Sequence, residues 1–276
     1  MAAESKRQSS DQLRRVDPVW FEIRREAEKV VAADPAIASF VYATVLNHDR
    51  LEDAVVDRIA GRLGDHVVSA EVIRRAFEEV VRHQADLGQI IRCDLAAVFD
   101  RDPVCERMME PLLYFKGFHA IQTQRLAHWL WLNGRRDFAL YLQSRSSSVF
   151  QTDIHPAVPF GRGIFLDHAT GLVVGGTATI DDNVSILQGV TLGGTGKEGG
   201  DRHPKVRHGV LIGAGAKVLG DIEIGESSKI AAGSVVLHPV APHTTVAGVP
   251  AKPVGKTGVG EPSRDMDQMI EEGPSD

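Results

Sequence analysis

The chain has 276 residues, 43% of them hydrophobic and 25% charged, which is typical of a globular protein of one or two domains. No apolar run approaches the roughly 20 residues that span a bilayer, and the polar start MAAESKRQSSDQLRR lacks the apolar segment of a secretory signal, so we expect a cytoplasmic protein. The net charge is −6, of which residues 257–276 carry −5, and this balance does not favour a nucleic-acid-binding face.

The first half of the chain is predicted to be α-helical. Only five of the 27 glycines precede residue 151, whereas twenty lie between residues 151 and 258. Asp17-Pro18 and Asp34-Pro35 each offer a capping carboxylate followed by a proline at the first helical position, and Asn133-Gly134 is a typical helix end. We therefore predict a flexible N-terminus over residues 1–16 and packed helices over residues 17–150.

The second half repeats an aliphatic residue every six positions. The repeated position is filled by Val174, Ile180, Ile186, Leu192, Ile212, Val218, Ile224, Ile230 and Val236, with a second apolar or small residue two positions before each. Alternation of period two inside a repeat of six predicts short strands joined by bends. Hexapeptide periodicity is typical of a parallel β-helix, in which stacked coils bury a common core. We predict this β-helix over residues 151–256, followed by an acidic flexible tail over residues 257–276.

The repeat loses its phase once. The interval from Leu192 to Ile212 is twenty residues, which is not a multiple of six, and it contains GGTGKEGGDRHPKVRHG. Glycine and charged residues cannot fill the interior of a coil, so we predict one extruded loop here. Loops that leave a rigid scaffold often carry function.

A histidine and two aspartates stand at the beginning of the repeat. Stepping back six residues from Val174 reaches His168, so the repeat predicts this histidine, directly after Asp167, in a position that aliphatic residues fill elsewhere. Asp153 lies fifteen residues before His168, and a coil of three hexads has eighteen residues. This spacing predicts that Asp153 lies about one strand spacing, ~4.8 Å, from His168 along the axis.

Several stretches resemble serine O-acetyltransferases. They are RDPVCERMMEPLLYFKGFHAIQTQRLAHWLW (101–131), FQTDIHPA (150–157), GRGIFLDHATGLVVG (161–175), SILQGVTLGGTGKEGGDRHPKV (185–206), IGAGAKVLGDIEIG (212–225) and AGVPAKPVGK (247–256). Hexads alone indicate a broad acyltransferase superfamily, whereas DIHP, LDHATG and GGDRHPK together are far more specific. The resemblance implies an α+β multi-domain protein in which an N-terminal α-helical domain precedes a left-handed parallel β-helix. It also implies acetyl transfer from acetyl-CoA to the L-serine hydroxyl, the first step of cysteine synthesis.

Such a reaction needs a base for the hydroxyl proton and donors for the tetrahedral oxyanion, but no metal, because the thioester is already activated. His168 is the natural base, since an imidazole is largely neutral near pH 7. Asp153 could accept a hydrogen bond from the ring N–H and fix its tautomer. The resemblance assigns this pair the same roles. The structural alternative for His168 is a core histidine with satisfied hydrogen bonds.

The resemblance also implies residues for the two substrates. Asp102 and Asp167 would contact the acceptor, while Arg202 and His203 in the extruded loop would bind its carboxylate, for which the planar fork of arginine is suited. Asp102-Pro103 is also an ordinary helix N-cap signature, and the two roles can coexist. Coenzyme A would lie between neighbouring β-helices, with backbone or small-residue contacts at Gly194, Thr195, Ala214 and Ala232. For its phosphates the candidates are Lys229 and Lys252, each of which could instead be a solvated lysine.

The resemblance further implies a homo-oligomer, in which β-helices form trimers with active sites between subunits and the helical domains join two trimers. It implies feedback inhibition by L-cysteine in the serine pocket. DMDQMI (265–270) resembles the tail through which members of the family bind O-acetylserine sulfhydrylase. That tail ends in isoleucine, whereas this chain continues to Asp276, so the sequence leaves this partner open.

Three other functions fit parts of the sequence. A metal hydrolase on the same scaffold could use His203 and His208, whose spacing of five occurs in zinc sites, although no third histidine stands at a compatible phase. An acetyltransferase could use another hydroxyl acceptor, such as homoserine, a sugar or an antibiotic, and a noncatalytic scaffold could use the β-helix for assembly alone. Cys93 and Cys105 lack metal-ligand spacing, so we predict reduced core residues and no metal.

Overall fold

The computed structural model of the chain describes residues 16–196 and 199–270. Its first part is helical, with α1 (Pro18–Ala33), α2 (Ala38–Val41), α3 (Leu51–Leu63), α4 (Ala70–His83), α5 (Leu87–Arg101), α6 (Met109–Leu113), α7 (Lys116–Leu132) and α8 (Arg136–Phe150). The flexibility predicted for residues 1–15 and 271–276 concerns residues outside the described part.

The capping signals in the sequence act as predicted. An Asp17 carboxylate oxygen accepts a hydrogen bond from the Trp20 N–H at 3.1 Å at the start of α1, and Asp34 accepts from the Ala36 N–H at 3.1 Å. Helix α7 ends before Asn133-Gly134, where Gly134 has a φ of 77°. No single helix in the described part is long and apolar enough to cross a membrane, although α1 together with the bent segment Pro35–Leu46 meets both criteria.

The second part consists of short strands. They are β1 (Thr152–Ile154), β2 (Phe165–Leu166), β3 (Leu172–Val174), β4 (Thr179–Ile180), β5 (Ser185–Ile186), β6 (Thr191–Gly193), β7 (Lys205–Val206), β8 (Leu211–Ile212), β9 (Lys217–Leu219), β10 (Glu223–Ile224), β11 (Lys229–Ile230), β12 (Val235–Val236), β13 (Thr244–Gly248) and β14 (Ala251–Lys256). Each of the nine aliphatic positions of the repeat is at most 2% exposed, which confirms the predicted core.

The strands form three parallel sheets that the chain visits in turn. Sheet A has the order β1-β3-β6-β9-β12, sheet B the order β4-β7-β10, and sheet C the order β2-β5-β8-β11-β13, to which β14 adds antiparallel. From β3 to β12, successive strands lie in sheets A, B and C in turn, so each strand pairs with the strand one coil later. The architecture is a left-handed parallel β-helix of hexapeptide repeats.

Two of the edges between sheets carry the candidate functional residues. The CA edge comprises the stacked turns that lead from sheet C into sheet A, at residues 167–171, 187–190, 213–216 and 231–234. The AB edge comprises the turns that lead from sheet A into sheet B, at residues 155–159, 175–178, 194–196 with 199–204, and 220–222. Glycines with φ of 70–73° recur along the CA edge, where stacked turns require the left-handed conformation that glycine adopts without strain.

The strand register corrects two predictions about the first coil. Asp153 pairs with Val173, so this coil has 20 residues, whereas Val173 pairs with Thr191 at the regular spacing of 18. The two additional residues lie in the turn between β2 and β3. The buried position before Val174 is therefore filled by Leu166, and His168 belongs to the turn. The prediction that His168 replaces an aliphatic residue was wrong. The coil that begins at Asp153 is two residues longer than the eighteen residues assumed for the spacing, and the closeness of Asp153 to His168 stays a prediction.

The predicted extruded loop is present between β6 and β7. Thr191 pairs with Lys217, 26 residues later, which is eight more than the regular repeat. The loop leaves the coil at Gly194 and rejoins it at Pro204, on the AB edge.

The helices are joined to the β-helix by a buried ion pair. The Arg125 guanidinium on α7 donates two hydrogen bonds to the Asp94 carboxylate on α5, at 2.9 Å each, and one to the Gly161 carbonyl at 2.8 Å. Asp94 also accepts from the Ile164 N–H at 3.0 Å, just before β2. This network fixes the first coil against α5 and α7, so the two parts share one rigid junction.

Residues 257–270 differ from the predicted flexible tail. They contain the short helix α9 (Pro262–Asp265), in which Pro262 and Ser263 are buried. The Ser185 hydroxyl donates to the Ser263 carbonyl at 2.7 Å, and the Ser263 N–H donates to the Gly209 carbonyl. Composition predicted flexibility, but hydrogen bonds to the β-helix hold this segment.

Candidate active site

A cleft of about 800 Å³ opens where α5 and α7 meet the CA edge. Asp102 follows the end of α5, Lys116 begins α7, and Asp167 with His168 forms the turn after β2. All four side chains line the cleft, together with residues of the C-terminal segment. Three of the predicted site residues, Asp102, Asp167 and His168, are thus brought together from positions far apart in the chain.

The backbone of the His168 turn has an unusual conformation. His168 and Ala169 have φ values of 51° and 58°, although neither is glycine. Consecutive residues in this region store backbone strain, which typically costs on the order of 1–3 kcal/mol per residue and occurs mainly at functional sites. Lys116 steadies the turn by donating a hydrogen bond from Nζ to the Thr170 hydroxyl at 2.5 Å. As a result the His168 side chain is 77% exposed and faces the cleft rather than the coil interior.

The electrostatics of the cleft favour a bound cation. Burial raises the pKa of Asp167, and the nearby Asp102 carboxylate raises it further, while the His168 ring acts in the opposite direction. One His168 ring nitrogen, Nε2, lies 3.8 Å from an Asp167 carboxylate oxygen. An ammonium group between the two carboxylates would relieve their mutual repulsion.

Asp102 is not a helix N-cap. It follows α5, its carboxylate accepts a hydrogen bond from the Val104 N–H at 3.0 Å, and the next helix begins only at Met109. The Asp-Pro pair therefore closes a turn, which leaves the carboxylate at the cleft wall.

Asp153 lies on the outward face of sheet A. Its carboxylate accepts a hydrogen bond from the Gln143 side chain at 2.6 Å, and its register partner is Val173. Within the described part, the carboxylate that lies near the His168 ring, at 3.8 Å from Nε2, is that of Asp167. The orienting role of Asp153 stays a prediction.

The loop residues lie on the other edge of sheet A. His203 is 7% exposed, and Nδ1 of its ring lies 2.7 Å from the Thr177 hydroxyl. Arg202 donates to the Gly196 carbonyl at 3.2 Å. Burial lowers the pKa of His203, and the Arg202 and Lys205 cations lower it further. Within one chain the structure does not bring Arg202 and His203 to the cleft.

The two histidines of the alternative metal site bind different partners. His208 Nε2 lies 3.1 Å from a Glu261 carboxylate oxygen, whereas His203 is held by Thr177. In residues 16–196 and 199–270, no three His, Cys, Asp or Glu side chains are grouped as metal ligands.

The predicted coenzyme A contacts are divided between the same two edges. Ala214 and Ala232 lie in turns of the CA edge, along the axis from His168, while Gly194 and Thr195 begin the loop on the AB edge. Lys252 is exposed on β14.

Lys229 differs from its expected role as an open phosphate contact. It is 7% exposed, and its ammonium donates to the Asp267 and Met269 carbonyls at 3.1 and 2.7 Å. The C-terminal segment covers this lysine, so a phosphate would have to displace that segment to reach it.

Two cations that the helical part contributes to the cleft were not predicted from the sequence. Lys116 is one, and its only signal was a charge at the start of a helix. Arg101 is the other. It is 6% exposed, and it donates to the Ser185 hydroxyl at 3.0 Å and to the Asn183 side chain at 3.2 Å. Burial lowers the pKa of Arg101 to about 10, and the Arg264 cation contributes.

Comparison with known proteins identifies relatives of the whole chain. Residues 19–123 match the family model described as serine acetyltransferase, N-terminal, and residues 203–238 match the bacterial transferase hexapeptide model. The serine acetyltransferase of Escherichia coli strain K12 is 54% identical over 250 residues, which cover 91% of this chain and 92% of that protein.

Solved structures agree with these sequence matches. The serine acetyltransferase of Brucella abortus strain S19 in complex with coenzyme A is 62% identical, with a TM-score of 0.88 over 89% of this chain and 98% of that one. A serine acetyltransferase in complex with cysteine is 50% identical, with a TM-score of 0.90 over 92% of this chain and 98% of that one. The cleft, the β-helix and these relatives together show that the chain belongs to the serine acetyltransferase family and is an acyltransferase.

Proposed function

We propose that the cleft transfers an acetyl group from acetyl-CoA to the hydroxyl of L-serine, which gives O-acetyl-L-serine and coenzyme A. The observation that carries this proposal is the convergence of Asp102, Asp167 and His168 in one cleft. The two carboxylates suit the ammonium group of an amino acid, and the exposed imidazole suits its hydroxyl. Coenzyme A is bound in the structure of the Brucella abortus relative.

In the proposed mechanism His168 acts as the general base. It takes the hydroxyl proton while the serine oxygen attacks the thioester carbonyl carbon and forms a tetrahedral intermediate. The carbon–sulfur bond then breaks, and the thiolate of coenzyme A takes the proton back from the imidazolium. Asp167, next to His168, and Asp153, on the neighbouring strand, are the carboxylates available to stabilise the imidazolium charge. A backbone N–H near Gly193 and Gly194 is our candidate for the oxyanion donor.

The serine site is completed, in our proposal, by a second copy of the chain. Arg202 and His203 are assigned to the serine carboxylate, yet they lie on the AB edge, while Asp102, Asp167 and His168 lie at the CA edge. The predicted coenzyme A contacts are divided in the same way. A trimer that sets the AB edge of one copy against the CA edge of the next would complete both sets at once.

The experiment that tests the activity measures thiol release from acetyl-CoA with a panel of hydroxyl acceptors. We expect release to depend on serine, and His168→Ala to lower kcat by about 10²–10⁴-fold because the general base is lost. His243→Ala is the matched control, since His243 also has a positive φ of 53° and is exposed, but lies away from the cleft. Release without serine, or an equal loss in both variants, contradicts the proposal.

Inhibition by L-cysteine is a second part of the proposed function. A relative has been solved in complex with cysteine, and cysteine differs from serine only by a thiol in place of the hydroxyl. We expect cysteine to raise the apparent serine KM, because both amino acids would bind the same carboxylates. L-Alanine, which lacks the thiol, is the control. Equal serine turnover with and without excess cysteine would refute this part.

A further inference from the structure

Thr177 holds the end of the extruded loop through three of its atoms. Its hydroxyl oxygen accepts a hydrogen bond from the Arg202 N–H at 3.0 Å and lies 2.7 Å from Nδ1 of His203. Its own N–H points to the same Nδ1 at 3.3 Å. Its carbonyl accepts from the Lys205 ammonium at 2.6 Å. One residue of the AB edge therefore contacts two residues of the loop, Arg202 and His203, and the first residue of β7, Lys205.

These contacts favour one of the two ring nitrogens of His203 as the one that carries the proton. A backbone N–H can only donate, so Nδ1 must present a lone pair to Thr177. The Thr177 hydroxyl already accepts from the Arg202 N–H, so its own proton can be donated, and the acceptors near it are Nδ1 of His203 at 2.7 Å and the Asp201 carboxylate. In the neutral ring the proton must then be on Nε2.

The surroundings of His203 favour this neutral form. The ring is 7% exposed, and the charged or titratable groups around it are Arg202, Lys205, Asp201 and His155. Two of these are permanent cations near neutral pH, and Lys205 neutralises Asp201 at 2.5 Å. A Cβ atom at Gly175 would lie 2.0 Å from His203 Nε2, so glycine is required for the ring to occupy this place.

We propose that Thr177 is a positioning residue that fixes His203 as the neutral tautomer with its proton on Nε2. Thr177 also accepts a hydrogen bond from the Arg202 backbone N–H. It therefore fixes the backbone position from which the Arg202 side chain extends, as well as the His203 ring. The Nε2–H is then the donor that His203 offers to the serine carboxylate, beside the Arg202 guanidinium. This inference rests on the proposed function for its role in serine binding, whereas the tautomer itself can be tested independently.

The test compares Thr177→Val, which removes the hydroxyl at nearly constant volume, with Thr177→Ser, which restores it. Ring ¹⁵N chemical shifts of the full-length protein, assigned with His203→Gln, report the tautomer directly. We expect wild type and Thr177→Ser to show a protonated Nε2 and an unprotonated Nδ1. Thr177→Val should show a mixture of tautomers, because only the long contact to the backbone N–H remains.

Kinetics supply the second readout. We expect Thr177→Val to raise the serine KM about five- to tenfold, as for the loss of one neutral hydrogen bond, with the acetyl-CoA KM changed less than twofold. Thr177→Ser should recover most of the effect. Thr179→Val, two residues further along the same coil, is the matched control and should leave both KM values unchanged. Thr177→Ala is a second hydroxyl-free variant in case Thr177→Val does not fold.

The outcomes separate this inference from the proposed function. An unchanged His203 tautomer in both hydroxyl-free variants overturns the inference, and so does a changed tautomer with an unchanged serine KM. A Thr177→Ser variant that does not restore the wild-type tautomer and serine KM also contradicts it. If instead Arg202→Ala and His203→Ala leave the serine KM at the wild-type value, the proposed serine site itself is wrong.

Discussion

His168 stands in a turn that most residues avoid. Its φ of 51° and that of Ala169 place two side-chain-bearing residues in the left-handed region, in a turn two residues longer than its equivalents. Because of this insertion, the imidazole leaves the stacked interior and enters the cleft. Two hydrogen bonds hold the strained turn in place. Lys116 donates to the Thr170 hydroxyl, and the Gly171 N–H donates to the Gln151 carbonyl at 2.8 Å.

We expect the ionised Asp167 carboxylate to lower the stability of the fold while it contributes to serine binding. Burial raises the pKa of this carboxyl in the folded protein, so its stabilising contribution is fully present below the unfolded pKa and is lost as the pH rises through the folded pKa. At pH 7 the ionised Asp167 therefore destabilises the fold. We expect Asp167→Asn to raise Tm at pH 7 by about 1–3 °C and to raise the serine KM at least about tenfold.

The check is thermal unfolding of both proteins between pH 7 and pH 4, with serine kinetics at pH 7. The difference in Tm should shrink as the pH falls, because wild-type Asp167 becomes protonated. Asp221→Asn, an exposed carboxyl on the AB edge, is the control and should change neither quantity. A lower Tm for Asp167→Asn at pH 7 would show that the carboxylate is stabilised by contacts rather than destabilised by burial.

Among elements, helix α7 fixes the floor of the cleft. Its first turn approaches β2 so closely that a Cβ atom at Gly117 would lie 1.9 Å from the Leu166 carbonyl oxygen. Leu166 immediately precedes Asp167, so the helix start and the His168 turn are held at a fixed separation. Helix α7 is also joined to the first coil through Arg125, which makes the whole helix a rigid support for the site.

Gly117→Ala should damage both folding and activity. The added methyl group must push α7 away from β2, so we expect a loss of about 2–4 kcal/mol in the free energy of unfolding and a lower kcat. The measurements are denaturant unfolding and steady-state kinetics on the same preparation. Gly61→Ala is the matched control, because Gly61 lies in helix α3 with nothing near its Cβ position, and it should stabilise by about 0.5–1 kcal/mol. Equal stability of the two variants would contradict the close approach.

At the scale of the whole molecule, the candidate serine-binding residues lie at two different edges of the three-sided β-helix. The CA edge carries His168 and the AB edge carries Arg202, with sheet A between them. The side chains of one chain cannot meet across that sheet. If both sets act on one serine, the second set must come from a neighbouring copy, and the repeat geometry of a β-helix presents straight edges that can align along their length.

This division predicts complementation between inactive variants. His168→Ala and Arg202→Ala, each nearly inactive alone, should regain about a quarter of wild-type activity when co-expressed in equal amounts with different tags. Each site needs an intact His168 from one copy and an intact Arg202 from the next copy. With random mixing each of these has a chance of about one half, so about one site in four is complete. Mixing the two purified variants without subunit exchange is the control and should give no recovery. Absence of recovery in co-purified mixed oligomers would show that each site lies within one chain.

How far the site could be predicted depended on the residue. The words LDHATG and RDP led to Asp102, Asp167 and His168, which the fold brings into one cleft. For Asp153, residue counting assumed a uniform coil of eighteen residues, whereas its pairing with Val173 gives twenty, because two inserted residues change the register without changing the composition. Arg101 and Lys116 left no distinct signal, since a charged residue at a helix end is common and only the packing of α5 and α7 turns it toward the cleft.

By itself the sequence determined the start of α1, the end of α7, the hexad core, the phase break at the extruded loop, and the family. Each of these features follows from a local or periodic preference for burial, capping or turn conformation. Such preferences are set by the residue type at individual positions. The tertiary structure alone decided that the His168 side chain faces the cleft, that Lys229 lies beneath the C-terminal segment, and that Thr177 contacts the His203 ring of the loop. These depend on contacts between residues distant in the chain, where packing and hydrogen bonding select one arrangement among many that the local preferences allow.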